Sequence, residues 1–273
     1  MLAYMGHLFY TSALSNGPLA RYFARKFGIE YPHDIIPDRV IAGYKMQGYT
    51  AVNPLSMYAV ECLDIREGTI SKLGARDGEV RPEIVAGANV DSNDSRIHDH
   101  LDIIWNRFST IESIAVFGHS DCAKVNAIIE DSRLQDEELA AALTSGRIPS
   151  RHKNEAVAKY LAIKSSGVLL GMNGVETAVN ERRLDIIPAF TLFEDTQTRD
   201  DFRLVKRSVQ VFNPTDGAIR SVDHVTDLEA CRASFSEGVS RADAIRNLLE
   251  RGKQNCLEAI RSGDVSKAGI LAR

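Results

Sequence analysis

Apolar residues in this chain fall into short compact runs that alternate with stretches of helical spacing. Met57 to Val60 has the make-up of a buried strand and ends just before Cys62. Glu83 to Ala88 reads as a second strand, and Ile114 to Phe117 as a third that runs straight into Gly118 and His119. Ile186 to Phe193 predicts a fourth, broken early by Pro188, and Phe202 to Phe212 a fifth, with polar Glu194 to Asp201 as the turn between them. Helical spacing fills the gaps. Ile97, Leu101, Ile104, Trp105 and Phe108 follow the capping segment Asp91 to Asp94. Val125, Ile128 and Ile129 predict a helix from Cys122 that fades into the polar stretch Glu130 to Glu138, and further helices are expected over Asn154 to Ser165 and Gly174 to Arg183. Asp227 to Arg261 is helical by pattern, with Ala242, Ile245, Leu249, Cys256 and Ile260 apolar. Near the start, Leu19, Tyr22, Phe23 and Phe27 form the stripe of a short amphipathic helix that ends at Gly28.

Strands alternating with helices predict an α/β fold: a mostly parallel central β-sheet flanked by helices, with an N-terminal helical arm and C-terminal helices. The arm is expected over residues 1–55, where Pro32, Pro37 and Pro54 interrupt an aromatic-rich stretch as a packed arm would. A core follows over 56–213 and a helical extension over 214–273.

Composition removes several classes of function. A net charge of -4 and a pI near 6.0 give no electrostatic basis for nucleic acid or an anionic membrane as partner. No apolar run is long enough to span a bilayer. The four cysteines are scattered, unlike a secreted disulfide framework. No secretory signal opens the chain, and the expected location is cytoplasmic; residues 1–29 do carry Arg21, Arg25 and Lys26 with no acidic residue, as organellar transit peptides do.

Chemistry concentrates at two strand ends. His119-Ser120-Asp121-Cys122 is an H-x-x-C step where a strand turns into a helix, and Cys62 closes another strand. Two cysteines and one histidine are soft and borderline donors that suit zinc, with a fourth position left for exchange. Taken alone, H-x-x-C arises often by chance, and buried cysteines commonly serve as small apolar residues. A second motif stands upstream: Cys62-Leu63-Asp64-Ile65-Arg66, or C-x-D-x-R.

The two motifs, in this order and each after an apolar strand, resemble those of the β-class carbonic anhydrases. The resemblance runs from about residue 55 to 130 and more loosely to 212. It implies Zn2+ held by Cys62, His119 and Cys122, with hydroxide at the fourth position attacking carbon dioxide to give bicarbonate. It assigns Asp64 to orienting that hydroxide and Arg66 to clamping Asp64. It also implies a homodimer or larger homo-oligomer, with the arm of one subunit lying across its neighbour. Two departures stand out. Ala123 follows the second cysteine where the family has Gly, and Ile84-Val85-Ala86-Gly87 replaces the family's Arg-Asn-Ala-Gly. They leave two alternatives: hydrolysis of carbonyl sulfide or carbon disulfide at the same site, and a catalytically silent zinc protein. His98 and His100, two apart on a helix, point in different directions and are expected on its polar face. Cys231 and Cys256 are expected in the core.

Overall fold

A computed structural model describes residues 57–63, 80–107, 111–172, 174–197, 203–212, 219–222 and 240–270. The expected arm over 1–55, Asp64 and Arg66 with the roles expected of them, and Cys231 lie outside them. Among the described residues, six strands form one sheet: β1 (Met57–Glu61), β2 (Val80–Ile84), β3 (Ser113–His119), β4 (Asp185–Gln197), β5 (Arg203–Phe212) and β6 (Ile219–Val222), in the order β2-β1-β3-β4-β5-β6. The first four run parallel, while β5 and β6 add antiparallel to β4. The α/β class and the mostly parallel sheet are therefore as the sequence predicts.

Every residue of β1 and β3 is buried, which is why these strands are near-continuous apolar runs with no polar alternation. Among the described residues, six helices accompany the sheet: α1 (Ser95–Arg107), α2 (Ala123–Glu130), α3 (Glu137–Ser145), α4 (Ser150–Leu170), α5 (Val175–Asn180) and α6 (Arg241–Ser262). The main core gathers Tyr58, Val60, Ile114 and Val116 of the sheet with Ile97 and Leu101 of α1 and Val157 and Leu161 of α4. Residues of the opposite register, among them Ala59, Ala115, Phe117 and Ile187, form a smaller cluster on the other face. α4 lies on β3 and β4, and α6 lies along α4. At Gly118 a Cβ would stand 2.8 Å from the Ala158 carbonyl oxygen, so glycine is what lets β3 meet α4 this closely one residue before His119. Among the described residues no helix is long and apolar enough to cross a membrane.

Four local expectations are corrected. The second strand is Val80–Ile84, and Ala86–Ala88 is a 3-10 turn with Gly87 at φ +70° instead of a strand end. The polar stretch Glu130 to Glu138 holds a 3-10 turn, Ser132–Leu134, and the first residues of a helix, α3. Ile219–Val222, read as part of a helical extension, is the edge strand β6. Pro188 does not break β4: pairing with β5 extends only to Ala189, so Pro188 has a ladder partner on the β3 side alone and its missing N–H costs nothing on the other.

Candidate metal centre

β1, β2 and β3 end within two residues of one another in register, and the C-terminal edge of parallel strands is where open α/β sheets build sites. β1 leads directly to Cys62 and β3 ends on His119. Glu61 pairs with Phe117 in register, so the two ligands arrive at neighbouring heights on adjacent strands. The chain then turns sharply. Ser120 N–H donates to the Thr191 carbonyl of β4 at 3.0 Å, Asp121 adopts φ +56°, and Cys122 becomes the N-cap of α2. One ligand atom each from Cys62, His119 and Cys122 lies within 4.8 Å of the others. All three residues are buried, and the two sulfurs are 3.5 Å apart.

The surroundings orient each donor. Gly87 N–H donates to Cys62 Sγ at 3.2 Å, a contact its left-handed turn makes possible. His119 Nδ1 lies 2.7 Å from the Ser120 carbonyl oxygen. A carbonyl only accepts, so Nδ1 carries the proton and Nε2 presents its lone pair, the arrangement that outer hydrogen bonds give a metal-ligating histidine. The hydrogen bond shared with Cys62 and then burial push the Cys122 thiol upward in pKa, while the backbone N–H groups of Val125 and Lys124 in the first turn of α2 pull the other way. A divalent cation would favour ionisation of both thiols, and the first turn of α2 already favours the thiolate of Cys122. The donor set therefore fits zinc: two sulfurs and an imidazole with its tautomer fixed.

The ligand trio named from sequence comes together in space. Asp64 and Arg66 are not among the described residues. His98 and His100 stay apart from the site, with His98 Nε2 at 2.8 Å from the Ser92 carbonyl and His100 Nδ1 at 2.6 Å from a Glu83 carboxylate oxygen. Cys256 sits in the core, where burial pushes its thiol up to about 12. Sequence reasoning missed two contributors. Gly87 acts through its backbone at the very segment where the polar family residues are absent. Asn154 of α4 donates Nδ2–H to the Cys122 carbonyl at 3.1 Å and accepts from Cys122 N–H through Oδ1 at 3.4 Å. A single asparagine in a helix carries no sequence signal for that role.

No family model matches the chain, and no curated protein matches it in sequence. Among solved structures it is similar to β-carbonic anhydrases. Against a tetrameric β-carbonic anhydrase of the filamentous ascomycete Sordaria macrospora the TM-score is 0.46, with 19% identity, covering 68% of this chain and 92% of that one. The Coccomyxa β-carbonic anhydrase in complex with acetazolamide gives 0.46 and 15%, covering 81% and 92%. The β-carbonic anhydrase CcaA gives 0.48 and 11%, covering 81% and 100%. Across the three, no score exceeds 0.48 and no identity exceeds 19%, a likeness too distant to carry chemistry from those enzymes to this chain.

Proposed function

We propose that this chain is a zinc enzyme of the β-carbonic anhydrase kind, interconverting carbon dioxide and bicarbonate. The observation that carries the reading is the convergence of Cys62, His119 and Cys122, from two sequence motifs whose cysteines lie 60 residues apart, on one buried point. Cys62 Sγ, His119 Nε2 and Cys122 Sγ would hold the ion. Bound there, zinc supplies the Lewis acidity that makes hydroxide available near neutral pH. The chain does the positioning. Gly87 N–H steadies one thiolate, the first turn of α2 favours the other, and the Ser120 carbonyl holds the imidazole in the ligating tautomer. In this reading Asp64 orients the attacking oxygen by accepting its hydrogen bond, and Arg66 holds Asp64 charged and in place, as the C-x-D-x-R motif implies.

The test is metal analysis together with stopped-flow carbon dioxide hydration at alkaline pH, on wild type and Cys122→Ala. About one zinc per chain and hydration, both lost in the variant, is the expected result. Zinc held firmly with no hydration overturns carbon dioxide as substrate and sends the same preparation to carbonyl sulfide and carbon disulfide. Light scattering on that preparation tests the accompanying proposal that the chain assembles as at least a homodimer.

A further inference from the structure

Asn154 stands in the opening turns of α4, 32 residues from Cys122 in sequence, yet its side chain engages that residue's backbone on both sides. Oδ1 takes the Cys122 N–H at 3.4 Å, and Nδ2 gives one hydrogen to the Cys122 carbonyl at 3.1 Å. Nδ2 also lies 2.7 Å from Asn126 Oδ1, one turn into α2. The Cys122 carbonyl accepts the opening helical bond from Asn126 N–H at 3.0 Å as well, so both its acceptor directions are used. Cys122 follows immediately after Asp121, whose positive φ leaves the turn no intrinsic preference for this geometry. Something outside the turn must fix it. Asn154 is the described side chain that grips both of its peptide groups, and it is anchored on the long helix that backs β3.

We propose that Asn154 is a positioning residue for the metal centre: it locks the backbone of Cys122 so that the sulfur is held toward Cys62 and His119. The proposal rests on the zinc reading above and deepens it. An amide suits the task because it carries an acceptor and a donor side by side on one planar group at every ordinary pH, matching the N–H and C=O of a single residue. The clamp acts on the ligand's backbone and leaves the sulfur's coordination directions open.

The experiment compares full-length wild type, Asn154→Ala, Asn154→Asp and Asn126→Ala by zinc competition with a chromogenic chelator and by the visible absorption of the cobalt(II)-loaded proteins. Asn154→Ala is expected to raise the zinc dissociation constant by about 10- to 100-fold and to shift the cobalt d–d bands. Asn154→Asp keeps an oxygen for Cys122 N–H but faces the Cys122 carbonyl with a second acceptor, and a weakening of about 10-fold is expected. Asn126→Ala removes only the outer contact and is expected to match wild type in both readouts. Wild-type zinc binding with both Asn154 variants within about 2-fold of it overturns the clamp. So does an equal loss in Asn126→Ala, which would trace the effect to the docking of α2 on α4. Failure of wild type itself to take up zinc or cobalt overturns the zinc reading, and the clamp with it. Should Asn154→Ala not fold, the isosteric Asn154→Asp decides.

Discussion

Asp121 is the residue on which the geometry of the site turns. With φ +56° it occupies the left-handed region, where a side chain ordinarily costs about 1–2 kcal/mol and where Asp and Asn are tolerated better than other non-glycine types. A β-branched residue there would force the turn open and carry Cys122 away from His119. Asp121→Gly is therefore expected to fold with its thermal midpoint kept or raised and its zinc affinity retained, whereas Asp121→Val should lose about 1–2 kcal/mol and bind zinc more weakly. Thermal unfolding and metal titration of the two variants check this, and equal behaviour would mean the turn is not strained. The same residue explains how much of the site can be read from sequence. Cys62, His119 and Cys122 are legible because each follows an apolar strand and two of them share a local motif. Gly87 and Asn154 are not, since the first acts through its backbone and the second across a distance that only the packing of α4 closes.

At the scale of elements, α3 is the instructive miss. Its sequence opens with Asp136, Glu137 and Glu138, an acidic run that looks solvated, yet Asp136 is an N-cap whose carboxylate accepts from Leu139 N–H at 2.9 Å. The same carboxylate accepts from Tyr160 Oη and Lys164 Nζ of α4, each at 2.8 Å, so it also docks one helix on another. Burial alone would raise the pKa of Asp136, but the bonds from Lys164, Leu139 and Tyr160 outweigh it and hold the carboxyl below its ordinary value. A depressed carboxylate pKa means that its contribution is present in full above the unfolded value, about 3.9, and is lost as pH falls through the folded value. Asp136→Asn should cost about 1–2 kcal/mol in urea denaturation at neutral pH, and the gap from wild type should close in strong acid. A gap that persisted there would place the effect in packing and not in charge. Strands and long helices were legible because burial on both faces, or on one stripe, writes itself into hydrophobic spacing. α3 was not, because its acidic opening is held by Tyr160 and Lys164 of another helix as well as by its own cap.

Across the whole molecule, the C-terminal helix is tied to the sheet by a buried ion pair. Arg241, 8% exposed, pairs with Asp185, 5% exposed, at the first position of β4, and its guanidinium also donates to the Val179 and Leu184 carbonyls at 3.4 Å. Removing one partner would take a counter-charge away from the other where it is buried, which is far costlier than the pair is worth. Asp185→Ala is expected to lower stability by about 3–5 kcal/mol, read by chemical denaturation, while Asp185→Ala combined with Arg241→Met should recover most of the loss. A double variant as unstable as the single would show that Arg241 matters by shape and not by charge.

The parallel register of β1 on β3 has a bearing on how the chain reaches its fold. Glu61 stands opposite Phe117, and Cys62 meets His119 only in that alignment. A slip of one residue would turn every β1 side chain to the opposite face and take the Cys62 sulfur with it. An ion gripped at this point would act as a proofreader of folding. It lends its binding free energy, about 4 kcal/mol at a thousandfold excess over the dissociation constant, to the correctly threaded chain and nothing to its misaligned competitors.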